Sequence, residues 1–204
     1  MQFLEFKQHF TKYLVFSVTE IKKEFPNFNK MNLPAWQKKG YVRKIRNSWY
    51  CFTDIEIDET VLFYIANKIY QPSYVSLETA LSFYGIIPEG VFSITSVTTL
   101  KTQNFKTNTV INTYSNIKKE CFFGYNLVQK QNYTYKIANP EKTLSDYLYL
   151  RTSVKTTEDI KSLRFNKQQL RENINLQKMF DYALIFNSKT LFKKIELLKK
   201  YINA

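Results

Sequence analysis

Between Glu24 and Asp54 the chain carries no carboxylate, yet it places Lys30, Lys38, Lys39, Arg43, Lys44 and Arg46 there, among Trp36, Tyr41, Trp49 and Tyr50. Cations interleaved with aromatics suit a polyanion, because each phosphate neutralised releases counterions. A second group, Glu78, Glu141, Lys142 and Asp146, would match a metal-dependent nuclease, since paired carboxylates beside a lysine can hold a divalent ion. Its contexts point elsewhere. Glu141 falls in the first turn of a helix, where the dipole favours a carboxylate. Lys142 and Asp146 lie four apart, the spacing of an ordinary surface pair. His9 is the only histidine, and Cys51 and Cys121 stand far apart, so no zinc site can be assembled. No nucleophile has a matched base and no glycine loop could cradle a phosphate. The expectation is a non-enzyme with no catalytic residue, metal or cofactor.

The elements that must position the basic stretch have a winged helix-turn-helix order. Phe3, Leu4, Phe6, Phe10 and Leu14 recur at helical spacing; Ser17 or Thr19 can cap a second helix that carries Ile21 and ends before Pro26. A third helix begins near Asn32 or Leu33, because Leu33 precedes Pro34 and is pushed out of the helical region; Asn29 is an earlier alternative cap. Trp36 is its anchor and Gly40 its left-handed stop. Tyr41–Arg46 and Trp49–Phe52 then form a hairpin through the turn Asn47-Ser48, with Val42 and Ile45 straddling a bulge. In this frame Lys30, Asn32, Gln37, Lys38 and Lys39 belong to a helix entering the major groove, and Arg43, Lys44, Arg46 and Ser48 to a wing on phosphates or the minor groove. Arg46, beside the turn, is the leading wing candidate, whereas Trp49 and Tyr50 pack the wing rather than stack on bases.

Charge supports that placement. The formal charge of the 204-residue chain is +13, with excesses of +5 to Ile57, +1 from Asp58 to Leu150 and +7 from Arg151 onward. A lysine-rich composition that serves solubility alone is the bland alternative. No signal-peptide run and no stretch of apolar residues long enough to span a bilayer is present, so a reduced, cytoplasmic protein without a membrane partner is expected.

The acidic connector Thr53–Thr60 divides the chain into a DNA-binding domain, 1–57, and a C-terminal domain, 58–204. The second has helices from Val61 and from Ser76, read as an N-cap. Four β-rich runs follow, Val91–Thr99, Val110–Tyr114, Glu120–Tyr125 and Tyr133–Ile137, which predict a small antiparallel sheet. Asn139 caps a helix with Pro140 at its first position. The tail predicts two helical stretches, Asn166–Phe186 and Ser188–Ile202; the latter sets Leu191, Phe192, Ile195, Leu198 and Tyr201 against Lys189, Lys193, Lys194, Lys199 and Lys200. That lysine face extends a DNA footprint, meets an acidic partner or is simply solvated. The fold class is α+β.

Helix and wing, then Pro72-Ser73-Tyr74-Val75-Ser76-Leu77-Glu78-Thr79-Ala80-Leu81-Ser82-Phe83-Tyr84-Gly85, then Tyr135-Lys136-Ile137-Ala138-Asn139-Pro140-Glu141-Lys142-Thr143-Leu144-Ser145-Asp146, resemble the AbiEi antitoxins of bacterial abortive-infection systems in order and spacing, over about residues 14 to 152. The resemblance implies a winged-helix repressor of its own operon, bound to inverted repeats in double-stranded DNA. It also implies a C-terminal domain that counteracts a nucleotidyltransferase-like toxin without a stable complex. Two copies on one operator would match protein to DNA symmetry. The tail beyond about Thr156 has no matching motif. The alternatives are a stand-alone winged-helix regulator and, less favoured, a nuclease or RNA-modifying enzyme.

Overall fold

A computed structural model describes residues 2–204. Its first core is aromatic. Helix α1 (Phe3–Phe10) contributes Phe6 and Phe10, strand β1 (Phe16–Ser17) Phe16, α2 (Val18–Glu24) Ile21, and α3 (Asn32–Lys38) Leu33 and Trp36. Strands β2 (Val42–Arg46) and β3 (Trp49–Phe52) close it with Val42, Tyr50 and Phe52. Phe6 is the hub, with the rings of Phe10, Phe16, Phe28, Trp36 and Phe52 centred 4.7–5.9 Å away. Leu4, expected inside, is 70% exposed. At 3.6 residues per turn it lies roughly 130° round the helix from the Phe3–Phe6–Phe10 stripe.

Local chemistry sets the boundaries. Ser17 caps α2 in a reciprocal box: the Glu20 N–H donates to Ser17 Oγ (3.1 Å) and the Ser17 N–H to the Glu20 carboxylate (2.7 Å). Leu33 lies inside α3 despite preceding Pro34, because its side chain, 1% exposed, is held in the aromatic core. Burial there outweighs the steric bias against the helical region. Strands β1, β3 and β2 form an antiparallel three-stranded sheet in that order.

The second sheet differs from expectation. It has six strands, not four, and is mixed rather than antiparallel. These are β4 (Ser73–Val75), β5 (Ser93–Thr98), β6 (Gln103–Lys106), β7 (Ile111–Asn116), β8 (Tyr125–Lys130) and β9 (Tyr133–Ala138), in the order β6-β7-β5-β4-β9-β8. The β4/β9 and β5/β7 pairs are parallel. Strand β4 gave no alternation because all three residues are buried, and β6 is a polar edge. Residues 119–121 form a short 3₁₀ turn instead of starting a strand.

The sheet separates two cores. Helix α4 (Glu59–Ile69) lies on one face with Val75, Ile94, Tyr114, Tyr133, Tyr135 and Ile137. Helices α5 (Leu77–Phe83) and α6 (Pro140–Leu150), with the tail, cover Tyr74 and Val97 on the other. Val15, Ile45 and Cys51 pack into the α4 core, so apolar contact runs continuously across the 57/58 division. The tail is four helices rather than two: α7 (Thr157–Ser162), α8 (Lys167–Asn173), α9 (Leu176–Ile185) and α10 (Lys189–Asn203). Asn175 breaks the expected long helix and caps α9 by accepting the Lys178 N–H at 3.1 Å. Lys194 leaves the solvated face assigned to it. It is 4% exposed and donates to the carbonyls of Leu148 (2.7 Å) and Arg151 (2.5 Å), closing the C-terminus of α6.

Candidate nucleic-acid interface

The basic stretch runs through α3 and the hairpin after it, but Lys30, expected on the helix, lies in the turn that precedes it, and Lys39 is the residue that caps its C-terminus. In α3 only Leu33 and Trp36 are buried; Trp36 packs on Phe3, Phe6 and Phe28. Lys30, Gln37, Lys38 and Lys39 are exposed, Asn32 is half-buried, and among the described residues none of these side chains has a hydrogen-bond or ion-pair partner. Gly40 at φ 73° ends the helix: its N–H donates to the Gln37 carbonyl (3.0 Å) and the Tyr41 N–H to the Trp36 carbonyl (2.9 Å). This αL closure fixes where the hairpin departs. Asn29 forms an Asx turn to the Met31 N–H at 3.0 Å, upstream of the helix.

In the hairpin the register shifts between Lys44 and Arg46, so Ile45 is an extra residue. Val42 packs into the aromatic core and Ile45 into the α4 core, opposite faces of the hairpin as their opposite parity dictates, and the bulge then sets Arg46 opposite Trp49. Ser48 supports the turn at φ 66° and is exposed. Trp49 and Tyr50 are packing residues.

The hairpin cations are less free than their sequence implied. The Arg43 guanidinium donates to the carbonyls of Thr53 (2.8 Å) and Ile55 (3.2 Å), tying the hairpin to the connector. Arg46 lies 3.3 Å from the centre of the Phe105 ring and donates to the Ile69 carbonyl at 3.5 Å. Its first role is thus to dock the hairpin on β6. Asn108 adds a donor to the Lys44 carbonyl at 2.7 Å. The Lys44 ammonium has no partner among the described residues.

A second constellation overturns the surface pairing of Lys142 with Asp146. Both are fully buried on α6, and the ammonium donates to Asp146 Oδ1 and, at 2.8 Å, to the Tyr74 hydroxyl. Asp146 Oδ2 accepts from Tyr74 (3.0 Å) and Ser76 (2.9 Å). The rings of Phe186, Phe123 and Tyr74 lie 4.7, 5.0 and 5.3 Å from the ammonium. Burial pushes the lysine pKa down and the aspartate pKa up, against their mutual attraction. Gly124, at φ 71°, lets the backbone close over the lysine; a Cβ there would come within 3.0 Å of Lys142 Cγ. Ser76, expected to cap α5, spends its hydroxyl on Asp146. Thr95 replaces it, accepting the Thr79 N–H at 3.0 Å.

One sequence signal could have found this group. Tyr149 and Leu150 continue the side of α6 that carries Lys142 and Asp146, and both pack against the core. Glu141, 7% exposed, does sit in the first turn as expected, and there it accepts from Lys178 at 2.9 Å. Lys142 and Asp146 are sealed from solvent, and Glu78 pairs with Arg151 at 2.5 Å, so these four residues do not converge on one open site. Among the described residues no group of three or more His, Cys, Asp or Glu side chains could hold a metal, and no helix is long and apolar enough to cross a membrane. No protein-family model matches the chain, and the search of curated proteins found no match.

Proposed function

We propose that the N-terminal segment is a winged helix that reads duplex DNA, and that the chain is an autorepressor and antitoxin of the AbiEi kind it resembles, opposing a nucleotidyltransferase-like toxin. One observation carries the DNA reading. Helix α3 is anchored on one side by Leu33 and Trp36, while Lys30, Gln37, Lys38 and Lys39 stay exposed and unpartnered within a carboxylate-free segment. The order α1-β1-α2-α3-β2-β3, with its β1-β3-β2 sheet, supports placing that exposed face in a major groove. Lysines on a helix face supply phosphate contacts, and Gln37 and Asn32 have the bidentate amides that read base edges. No reaction is proposed.

The test is fluorescence anisotropy of the intact chain on a labelled duplex taken from upstream of its own gene, across a salt series. Lys38→Ala/Lys39→Ala should flatten the salt dependence by about 1.8 units, at about 0.9 per lost phosphate contact. An unchanged slope and affinity would remove α3 from the interface. The antitoxin half is read separately, by co-expression with an adjacent nucleotidyltransferase-like gene product. Operator binding without rescue of growth leaves the stand-alone regulator.

A further inference from the structure

The sequence holds a second carboxylate-free segment. From Gly90 to Lys119 there is no Asp or Glu, while Lys101, Lys106, Lys118 and Lys119 are all present and exposed. This segment forms β5, β6 and β7, the outer half of the large sheet. Folding brings it against the first carboxylate-free segment. A cleft of about 390 Å³ opens between them, lined by Lys44, Ile45, Arg46 and Asn47 from the hairpin and by Asn104, Phe105, Lys106 and Asn108 from β6 and its turn. Three cations and three amides face it, with no carboxylate among the lining residues.

We propose that this cleft is a second contact for the phosphodiester backbone of duplex DNA, so that the footprint extends from α3 across the hairpin tip onto β6. The inference rests on the DNA reading above and adds a part of the molecule that reading did not include. Three features favour a phosphate. The cleft has donors of both kinds that phosphate oxygens accept from, ammonium or guanidinium groups and side-chain amides. Arg46 sits 3.3 Å over the Phe105 ring centre and gives one N–H to the Ile69 carbonyl, so other guanidinium N–H groups remain for a ligand. Strand β6 is at the sheet edge, so one row of its backbone groups lacks a strand partner.

Preorganisation is the fourth. Arg46 on Phe105 and Asn108 on the Lys44 carbonyl fix both walls before any ligand arrives, which lowers the ordering cost of binding. Lys44 and Arg46 belong to the hairpin that follows α3 directly through Gly40. A strand of phosphates contacting α3 and its wing thereby has Lys106 and Asn104 as further donors on the opposite wall. Those two are the informative positions, because neither side chain has a partner among the described residues.

The test uses the full chain and the same labelled upstream duplex, with Lys106→Ala, Lys106→Glu, Lys38→Ala/Lys39→Ala and, as a charge control on α7, Lys161→Glu. Loss of one phosphate contact predicts about 8-fold weaker binding at roughly 0.1 M salt for Lys106→Ala, and a salt slope shallower by about 0.9. Lys106→Glu should weaken binding further, and Lys161→Glu should stay near the parent. Parental affinity and slope for both Lys106 variants, alongside weakened Lys38→Ala/Lys39→Ala, would overturn the cleft and leave the α3 reading standing. Equal losses for Lys161→Glu and Lys106→Glu would also overturn it, by showing a general field effect. No binding of the duplex by the parent overturns both readings. Tighter, Lys106-dependent binding of a hairpin RNA than of the duplex overturns the assignment to DNA.

Discussion

Replacing Asp146 by alanine removes the acceptor at the centre of the buried α6 network. The Lys142 ammonium, fully buried, keeps only the Tyr74 oxygen and three ring faces, while the Tyr74 and Ser76 hydroxyls lose the oxygen they donate to. Breaking a buried pair from one side typically costs about 3–5 kcal/mol, because the stranded charge has no compensation. In a chain of this size that corresponds to a fall in Tm of about 6–20 °C, at about 2–4 °C per kcal/mol. Urea melts followed by far-UV circular dichroism give the free energy, with the m-value checking that the unfolding reaction is the same.

The pH dependence has a definite sign. Burial already lowers the Lys142 pKa, and losing the carboxylate removes the main attraction that opposes it. Between this depressed folded pKa and the unfolded value near 10.4, the unfolded chain binds more protons, so unfolding free energy rises with pH. The deficit of Asp146→Ala should therefore shrink as pH rises from neutral towards the unfolded value near 10.4. Lys142→Met/Asp146→Leu should recover part of the loss, and adding Tyr74→Phe and Ser76→Ala should recover more, since each orphaned hydroxyl costs about 1–3 kcal/mol. A deficit below about 1 kcal/mol at neutral pH with an unchanged m-value, or one that grows with pH, would refute the reasoning.

Arg46 and Phe105 should be coupled: a double-mutant cycle with Arg46→Ala and Phe105→Ala should return about 0.5–2 kcal/mol of interaction in stability, and additive effects would show that the stacking does not hold the hairpin. Asp58 caps α4 through the Val61 N–H and bonds Lys130 at 2.8 Å, which lowers its pKa to about 2. A depressed carboxylate stabilises above its unfolded value and loses that contribution as pH falls through about 2. Asp58→Asn keeps the cap and removes the charge, so parent and variant Tm values should converge between about pH 4 and about pH 2; a gap that stays constant with pH would contradict the assignment. The pair is half exposed, so the gap should be small.

What could be read from the sequence was mostly local. Ser17 and Asn139 cap helices because their side-chain oxygens reach N–H groups three residues on, and Gly40 stops α3 because the position needs φ above zero. A bulge was expected between Val42 and Ile45 and the register does shift there, but the two residues enter different cores, which their opposite parity alone would allow. These outcomes depend on a few neighbouring residues, and the chain carries them in any context.

The carboxylate-free window is likewise a property of the sequence, and so is the order of helices and hairpin. Which of its cations are free is not. Arg43 and Arg46 are engaged by backbone carbonyls and by Phe105, and the cleft facing Lys106 exists only because β6 is folded against the hairpin. In the same way, spacing alone makes Lys142 and Asp146 a surface pair, and the packing of Tyr74, Phe123 and Phe186 around them makes them a sealed one. Spacing says which side chains share a face of one element; burial and charge pairing depend on what distant segments bring to that face, so only the tertiary structure decides them.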